Sequence, residues 1–149
     1  MKRHISYLKY VIRHKWFVLL AGMKTKAPIW RLIIHDWTKF FPSEWTPYAK
    51  TFYANDGSSQ YNEHEDFDRA WNYHQKRNKH HWQYWIINRD DGGIKCISIP
   101  EKYIREMVAD WMGAGRAITG NWEFQEWYEK NRDKIKLADD TRKEVERLI

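Results

Sequence analysis

The chain has one cysteine, Cys96, so it can form no intrachain disulfide and no multi-cysteine zinc or iron–sulfur site. That usage suits a reducing, cytoplasmic setting, and any metal must be held by histidine and carboxylate side chains. Proline is scarce as well, with 4 residues in 149, and none of them belongs to a proline-rich linker. No repeat or low-complexity tract divides the sequence, so a single domain over 1–149 is expected. Long apolar runs are also missing: the longest uncharged stretch, "WFVLLAGM" at 16–23, falls far short of the ~20 residues of a spanning helix. No membrane span is expected. His14 and Lys15 stand just ahead of that run and no small-x-small cleavage pattern goes with it, so it reads as a structural helix rather than a secretory leader.

What the chain has in quantity is aromatic and basic. It is 42% hydrophobic and 17% aromatic, with 10 Trp and 9 Tyr, which is enough apolar surface for a sizeable core. Rings that carry an N–H or O–H also line clefts and interfaces. Lys and Arg number 26 against 20 Asp and Glu, a formal charge of +6 that favours an anionic partner, either a small substrate such as a nucleotide or a nucleic acid.

Apolar spacing is helical almost throughout. A first helix, about 5–23, sets Tyr7, Val11, His14, Val18 and Ala21 on one face. A second opens at Pro28 and runs through "IWRLIIHDWTKF" to the "FFPSEW" corner, where Pro42 disfavours helix at Phe41 and Ser43 can cap a new helix toward Phe52. "NDGSS" is a loop, and a helix over about 63–78 stripes Phe67, Ala70, Trp71 and His74. "KHHWQYW" gives a short helix or turn, "NRDDGG" a turn and "IKCISIP" an extended segment. Pro100 starts a helix in which Tyr103, Met107, Asp110 and Ala114 share a face, and "ADDTRKEVERLI" reads as a capped, exposed helix closing a C-terminal helical section at 122–149. The expected class is all-α.

Three of these helices carry a ligand-type residue on the core-facing stripe: His14, His74 and Asp110. A buried neutral imidazole needs only one donor and one acceptor, but a buried Asp stays charged unless it is paired. The segment "IIHDWTKFFPSEW" adds His35 and Asp36 at the close of an apolar run. If the helices bundle around one centre, His14, His35, Asp36, His74, one or both of His80 and His81, and Asp110 can converge there. One or two divalent metal ions would offset the burial of all of them, with Mn, Fe, Ni, Mg and Zn equally admissible. A metal-free His–Asp hydrogen-bond network is the alternative.

The ordered set His, His–Asp, His, His, Asp resembles the HD-domain superfamily of metal-dependent phosphohydrolases, over about residues 10–115. The resemblance implies a single HD-like helical bundle in which His14, His35, Asp36 and Asp110 hold a first metal. It further implies that Asp36 bridges to a second metal held by His74 and by His80 or His81, and that Lys39 lies near the substrate. The stretches "HDWTKFFPSEWTPYA", "AWNYHQKRNKHHWQYW" and "PEKYIREMVADWMGAG" are also similar to a bacterial and phage family without an assigned activity.

A metal held by imidazoles and carboxylates can keep a position for water, whose pKa then falls toward ~7, so that hydroxide becomes available for attack on a phosphate ester. Asp36, Lys39 and Glu106 are the catalytic candidates. Lys39 can neutralise developing phosphoryl charge, and Glu106, one helical turn before Asp110, can orient a water or a histidine N–H unless it only forms a surface ion pair. Glu44 is a further candidate for such a supporting role. Arg77, Lys79 and Trp37 join Lys39 as candidate substrate-binding residues. Trp71, Trp82, Trp85 and Trp111 also lie within a few residues of a proposed ligand, where a ring either stacks on a nucleobase or packs in the core. The expected function is therefore hydrolysis of a nucleotide or related phosphate ester. The alternatives are an HD-fold di-iron oxygenase, which the resemblance permits, and a non-catalytic protein that binds nucleic acid or a partner around a structural His–Asp cluster.

Overall fold

The computed structural model describes residues 1–149. Seven α-helices carry the fold: α1 (Lys2–Thr25), α2 (Ile29–Ile34), α3 (Pro42–Phe52), α4 (Glu65–Arg77), α5 (Glu101–Thr119), α6 (Gln125–Asn131) and α7 (Asp139–Leu148). A two-stranded antiparallel hairpin, β1 (Ile86–Asn88) with β2 (Ile94–Cys96), pairs Ile86 with Cys96 and lies apart from the core. The protein is thus predominantly α. No helix is long and apolar enough to cross a membrane.

The long helices α1 and α5 pack along each other and form the spine. Tyr7, Val11, His14, Val18 and Ala21 are buried along α1, the stripe that the spacing predicts. The two helices approach closely because Gly113 of α5 has no side chain: a Cβ there would meet the backbone N of Val18 at 2.6 Å. Gly22 does the same for α2, since a Cβ would stand 2.4 Å from the methyls of Leu32. Val18, Ala21, Ala27, Leu32 and Ala109 fill this junction. A second apolar cluster joins α1 to α3 and α4 through Tyr7, Val11, Tyr48, Ala49 and Ala70. A third, including Ile104, Val108, Tyr128 and Val145, seats α6 and α7 against α5.

Several local expectations change. The helix expected to run from Pro28 through Phe40 stops at Ile34, His35 enters a turn with φ −49° and ψ 131°, and Asp36 takes a left-handed conformation with φ 54° before a 3₁₀ turn at Trp37–Phe40. Adjacent helical residues point about 100° apart, so a continuous helix could not aim both His35 and Asp36 inward; the break does. Asp is among the few non-glycine residues that enter the left-handed region readily. Lys15 of α1 secures the break by donating to the carbonyls of Ile33 and His35. Ser43 does not cap α3: Phe41 holds the cap position, Pro42 occupies the first turn, and Ser43 Oγ instead accepts from Arg77 at 3.1 Å. On α5 the buried surface is broader than one stripe and turns toward Ile104, Glu106 and Gly113, leaving Tyr103 and Ala114 half-buried. Nor is α7 wholly exposed or side-chain capped: Val145 is buried, and the Thr141 hydroxyl, also buried, accepts the Ile99 N–H at 2.9 Å.

Candidate metal centre

Five of the seven histidines meet at the junction of α1, the His35–Asp36 break, α4, the segment before Trp82, and α5. His14 and Asp110 come from the spine, His74 from the last turn of α4, and His80 and His81 from the chain that leaves it. Together with Asp36 they are all at least nine-tenths buried. They fall into two sets, His14–His35–Asp36–Asp110 and Asp36–His74–His80–His81, and Asp36 belongs to both.

The two carboxylate oxygens of Asp36 divide between the sets. Oδ2 lies 3.4 Å from His14 Nε2 and 3.5 Å from His35 Nε2. Oδ1 lies 3.3 Å from both His74 Nε2 and His80 Nε2. Asp110 Oδ1 closes the first set at 3.1 Å from His14 Nε2 and 3.1 Å from His35 Nε2, while those two nitrogens are 3.4 Å apart. Metal–ligand bonds of about 2.0–2.2 Å put neighbouring donors of a four- or six-coordinate ion about 3.0–3.5 Å apart, which is the spacing seen. The donors also fit a cation in their bonding. His81 Nε2 is buried with no hydrogen-bond partner, and a buried polar atom is costly in that condition.

Two glutamates hold the outer edges of the rings. Glu106 Oε1 accepts from His35 Nδ1 at 3.2 Å and His80 Nδ1 at 3.3 Å, one histidine from each set, while its Oε2 accepts from Arg31 at 2.5 Å. Glu44 Oε2 accepts from His74 Nδ1 at 2.8 Å and its Oε1 accepts from Arg77 at 2.8 Å. A carboxylate on Nδ1–H leaves the Nε2 lone pair free and aimed inward, the arrangement found around metal-ligating imidazoles. His35, His80 and Glu106 also form a cluster of donor atoms, but Arg31 and the two Nδ1 atoms already use that carboxylate, so it orients ligands. The surface ion pair considered for Glu106 does not occur, for the residue is 1% exposed.

Without a cation, protons balance the acids. Burial alone would raise the Asp36 carboxyl, but His35, Lys39, His74 and the hydrogen bond from His14 hold it well below the usual range. Asp110 follows the same pattern, with His14 and His35 overcoming burial. Burial opposes charge on His80, yet bonds to Asp36 and Glu106 push it up to about 10. His81 goes the other way, driven down by burial and by the neighbouring His80 and His74, and so stays neutral with a lone pair available. Lys39 is buried with Nζ 2.5 Å from Asp36 Oδ2, and that carboxylate holds it protonated in spite of burial. As residues i and i+3 across a 3₁₀ turn, Asp36 and Lys39 lie one above the other.

Two hollows flank the centre. A cleft of about 670 Å³ lies on the Nδ1 side of the rings, bordered by Arg31, Trp37, Thr38, Arg77, Lys79 and Glu106. His35, Asp36 and His80 touch it as well, each no more than 2% exposed. A pocket of about 500 Å³ lies on the Lys39 side, walled by Tyr10, Arg13, Tyr48, Tyr53 and Tyr61. Tyr10 stacks on the His14 ring with centroids 6.0 Å apart, and Tyr48 meets His74 edge-on, also at 6.0 Å.

The candidates named from sequence therefore part company. His14, His35, Asp36, His74, His80, His81, Asp110, Lys39 and Glu106 come together. Arg77, Lys79 and Trp37 border the cleft behind the rings, where Arg77 is engaged by Glu44 and Trp37 is 61% exposed. Trp71 packs on His74 and His81, whereas Trp82, Trp85 and Trp111 pack against the apolar cluster that joins α5 to α6 and α7. Sequence reasoning missed Arg31, Tyr10, Arg13 and Tyr61. Tyr10 stands one turn before His14 and Arg31 one turn before His35, a spacing that was the available signal.

The fold and this centre define an all-α protein whose buried histidines and carboxylates are positioned to bind metal. The chain belongs to a family of unknown function (DUF5662), whose profile matches residues 3–149. No curated protein and no solved structure matches it.

Proposed function

We propose that the protein is a metal-dependent phosphohydrolase of the HD-domain type acting on a nucleotide or related phosphate ester. The observation that carries this reading is the split of the Asp36 carboxylate, one oxygen toward His14 and His35, the other toward His74 and His80. A carboxylate shared between two donor sets is the arrangement of two-metal hydrolytic sites. His14, His35, Asp36 and Asp110 would hold one cation, and Asp36, His74, His80 and His81 the other. Bound divalent cations supply a nucleophilic hydroxide at neutral pH and offset phosphoryl charge.

The chain's own residues do the rest. Glu106 and Glu44 keep the imidazole lone pairs turned inward, and Arg31 and Arg77 hold those glutamates in place. Lys39, buried and cationic, pairs with a phosphoryl oxygen as negative charge develops there. Water oxygen bonds to phosphorus and gives up a proton, the P–O bond to the alcohol breaks, and the departing oxygen takes up one proton in balance. The same donor frame admits paired-iron oxygen chemistry; Lys39, a fixed cation beside the shared carboxylate, favours an anionic phosphate as the reactant.

Elemental analysis of the purified protein beside Asp36→Ala tests the reading. About two divalent ions per chain are expected in the native protein and a loss of both in the variant, because each set loses its shared ligand. Chelator-sensitive release of phosphate from a panel of phosphate monoesters should accompany them. Metal-free native protein, or paired redox-active iron with no phosphatase activity, refutes it.

A further inference from the structure

The two hollows differ in how they meet the rings and the shared carboxylate. Every imidazole contact to the shared carboxylate is made by an Nε2 atom, and every imidazole contact to the supporting glutamates by an Nδ1 atom. The basic cleft lies on the Nδ1 side, with Glu106 in its wall, and it reaches His35, Asp36 and His80 only where each is no more than 2% exposed. The other pocket has Lys39 in its wall, and Lys39 Nζ reaches Asp36 Oδ2 at 2.5 Å. Tyr10 and Tyr48 continue that wall onto His14 and His74 themselves.

Building on the phosphohydrolase reading above, we propose that the pocket beside Lys39 holds the organic part of the substrate, and that this part carries an aromatic ring. The substrate class is a phosphate monoester of a ring-bearing alcohol, of which a nucleoside 5′-monophosphate is representative. Three observations set this class. The pocket, at about 500 Å³, falls within the range of small-molecule sites. Its walls are four tyrosines, Tyr10, Tyr48, Tyr53 and Tyr61, together with Phe52, whose faces suit a planar ring. Its polar groups include Lys39, Arg13, Ser59 and the Tyr48 hydroxyl, which is buried and has no hydrogen-bond partner. The cations lie beside the shared carboxylate and on one wall, so the phosphoryl group sits toward Lys39 and the ring toward Tyr61, which is 65% exposed at the rim. Tyr61 and Arg13 thereby become specificity-determining residues, and neither carries the metal centre.

The test is binding by calorimetry to the full chain as purified, with probes that resist hydrolysis. The methylene phosphonate analogue of adenosine 5′-monophosphate carries the ring, methylphosphonate lacks it, and inorganic phosphate reports the anion site alone. The ring-bearing analogue should bind the native protein at least tenfold more tightly than methylphosphonate, since base-on-aromatic stacking is worth about fivefold to a hundredfold. Tyr61→Ala should erase most of that difference while leaving methylphosphonate and phosphate unchanged. Arg13→Gln should weaken the analogue through its contact in the same pocket. Ile33→Glu, an acid placed in the cleft behind the rings, should change none of them. Equal affinity for the two phosphonates, or an analogue weakened by Ile33→Glu and indifferent to Tyr61→Ala, overturns the proposal. Metal content measured on the same samples keeps the two readings separate. A ring preference that depends on Tyr61 in metal-free protein upholds the pocket and sinks the hydrolase, whereas metal and turnover without it do the reverse.

Discussion

Replacing Glu106 with glutamine probes the centre at one atom. Glu106 Oε1 accepts from His35 at 3.2 Å and His80 at 3.3 Å, while Oε2 accepts from Arg31 at 2.5 Å. Glutamine keeps the shape but turns one acceptor into a donor. With the amide oxygen toward Arg31, the NH₂ faces two Nδ1 atoms, which must then accept, so the proton moves to Nε2 and the lone pair that would bind metal is lost. With the orientation reversed, NH₂ confronts the Arg31 guanidinium and two donors meet in a buried site. Either way the variant damages one ligand of each set, because His35 belongs to the first and His80 to the second. Loss of an outer carboxylate at a metal-ligating histidine weakens metal by about 10- to 100-fold, or about 1.4–2.8 kcal/mol. Glu44→Gln should affect only the set containing His74. The assay is competition for metal against a chromophoric chelator, with circular dichroism to establish that the variants remain helical. Folded Glu106→Gln protein that retains native affinity at both sets would refute the reasoning.

Other outcomes follow from the same geometry. In the metal-free protein His80 is raised from 6.5 to about 10, so its contribution to stability is complete below pH 6.5 and is lost as pH rises toward 10. Glu106 is lowered from 4.5 to about 2, so its contribution is complete above pH 4.5 and is lost as pH falls toward 2; thermal denaturation across this range should show both flanks. Metal must displace the His80 proton, so calorimetry at neutral pH in buffers of differing ionisation enthalpy should report proton release on metal binding. Lys39→Met should keep its metal and lower phosphatase turnover by about a hundredfold, the scale of one lost oxyanion partner, as steady-state kinetics would show. Gly113→Ala, whose Cβ would stand 2.6 Å from the Val18 backbone, should cost about 1–3 kcal/mol in urea denaturation. Gly115→Ala on the same helix meets nothing within 4 Å and should stabilise by about 0.5–1 kcal/mol.

The pattern of residues along the chain was sufficient for the helical class, the α1 stripe and the membership of the centre. Helical periodicity is local, and a charged Asp110 or a His14 on an apolar stripe announces a burial cost that needs partners. What local pattern could not supply was the break at Asp36. Propensity and the run of apolar residues favour continued helix there, and only the demand that two adjacent side chains reach one centre makes the left-handed step worthwhile. The tertiary structure alone decided which side of the imidazoles faces inward, since that depends on Glu106 and Glu44 arriving from α5 and α3 to take the Nδ1 protons. It likewise placed Arg77, Lys79 and Trp37 on the cleft at the Nδ1 side of the rings, and Tyr10, Arg13 and Tyr61 on the pocket beside Lys39. Sequence neighbours share a helix face, but the side of a buried cluster on which they stand is fixed by how the helices cross, and that is a property of the packed core.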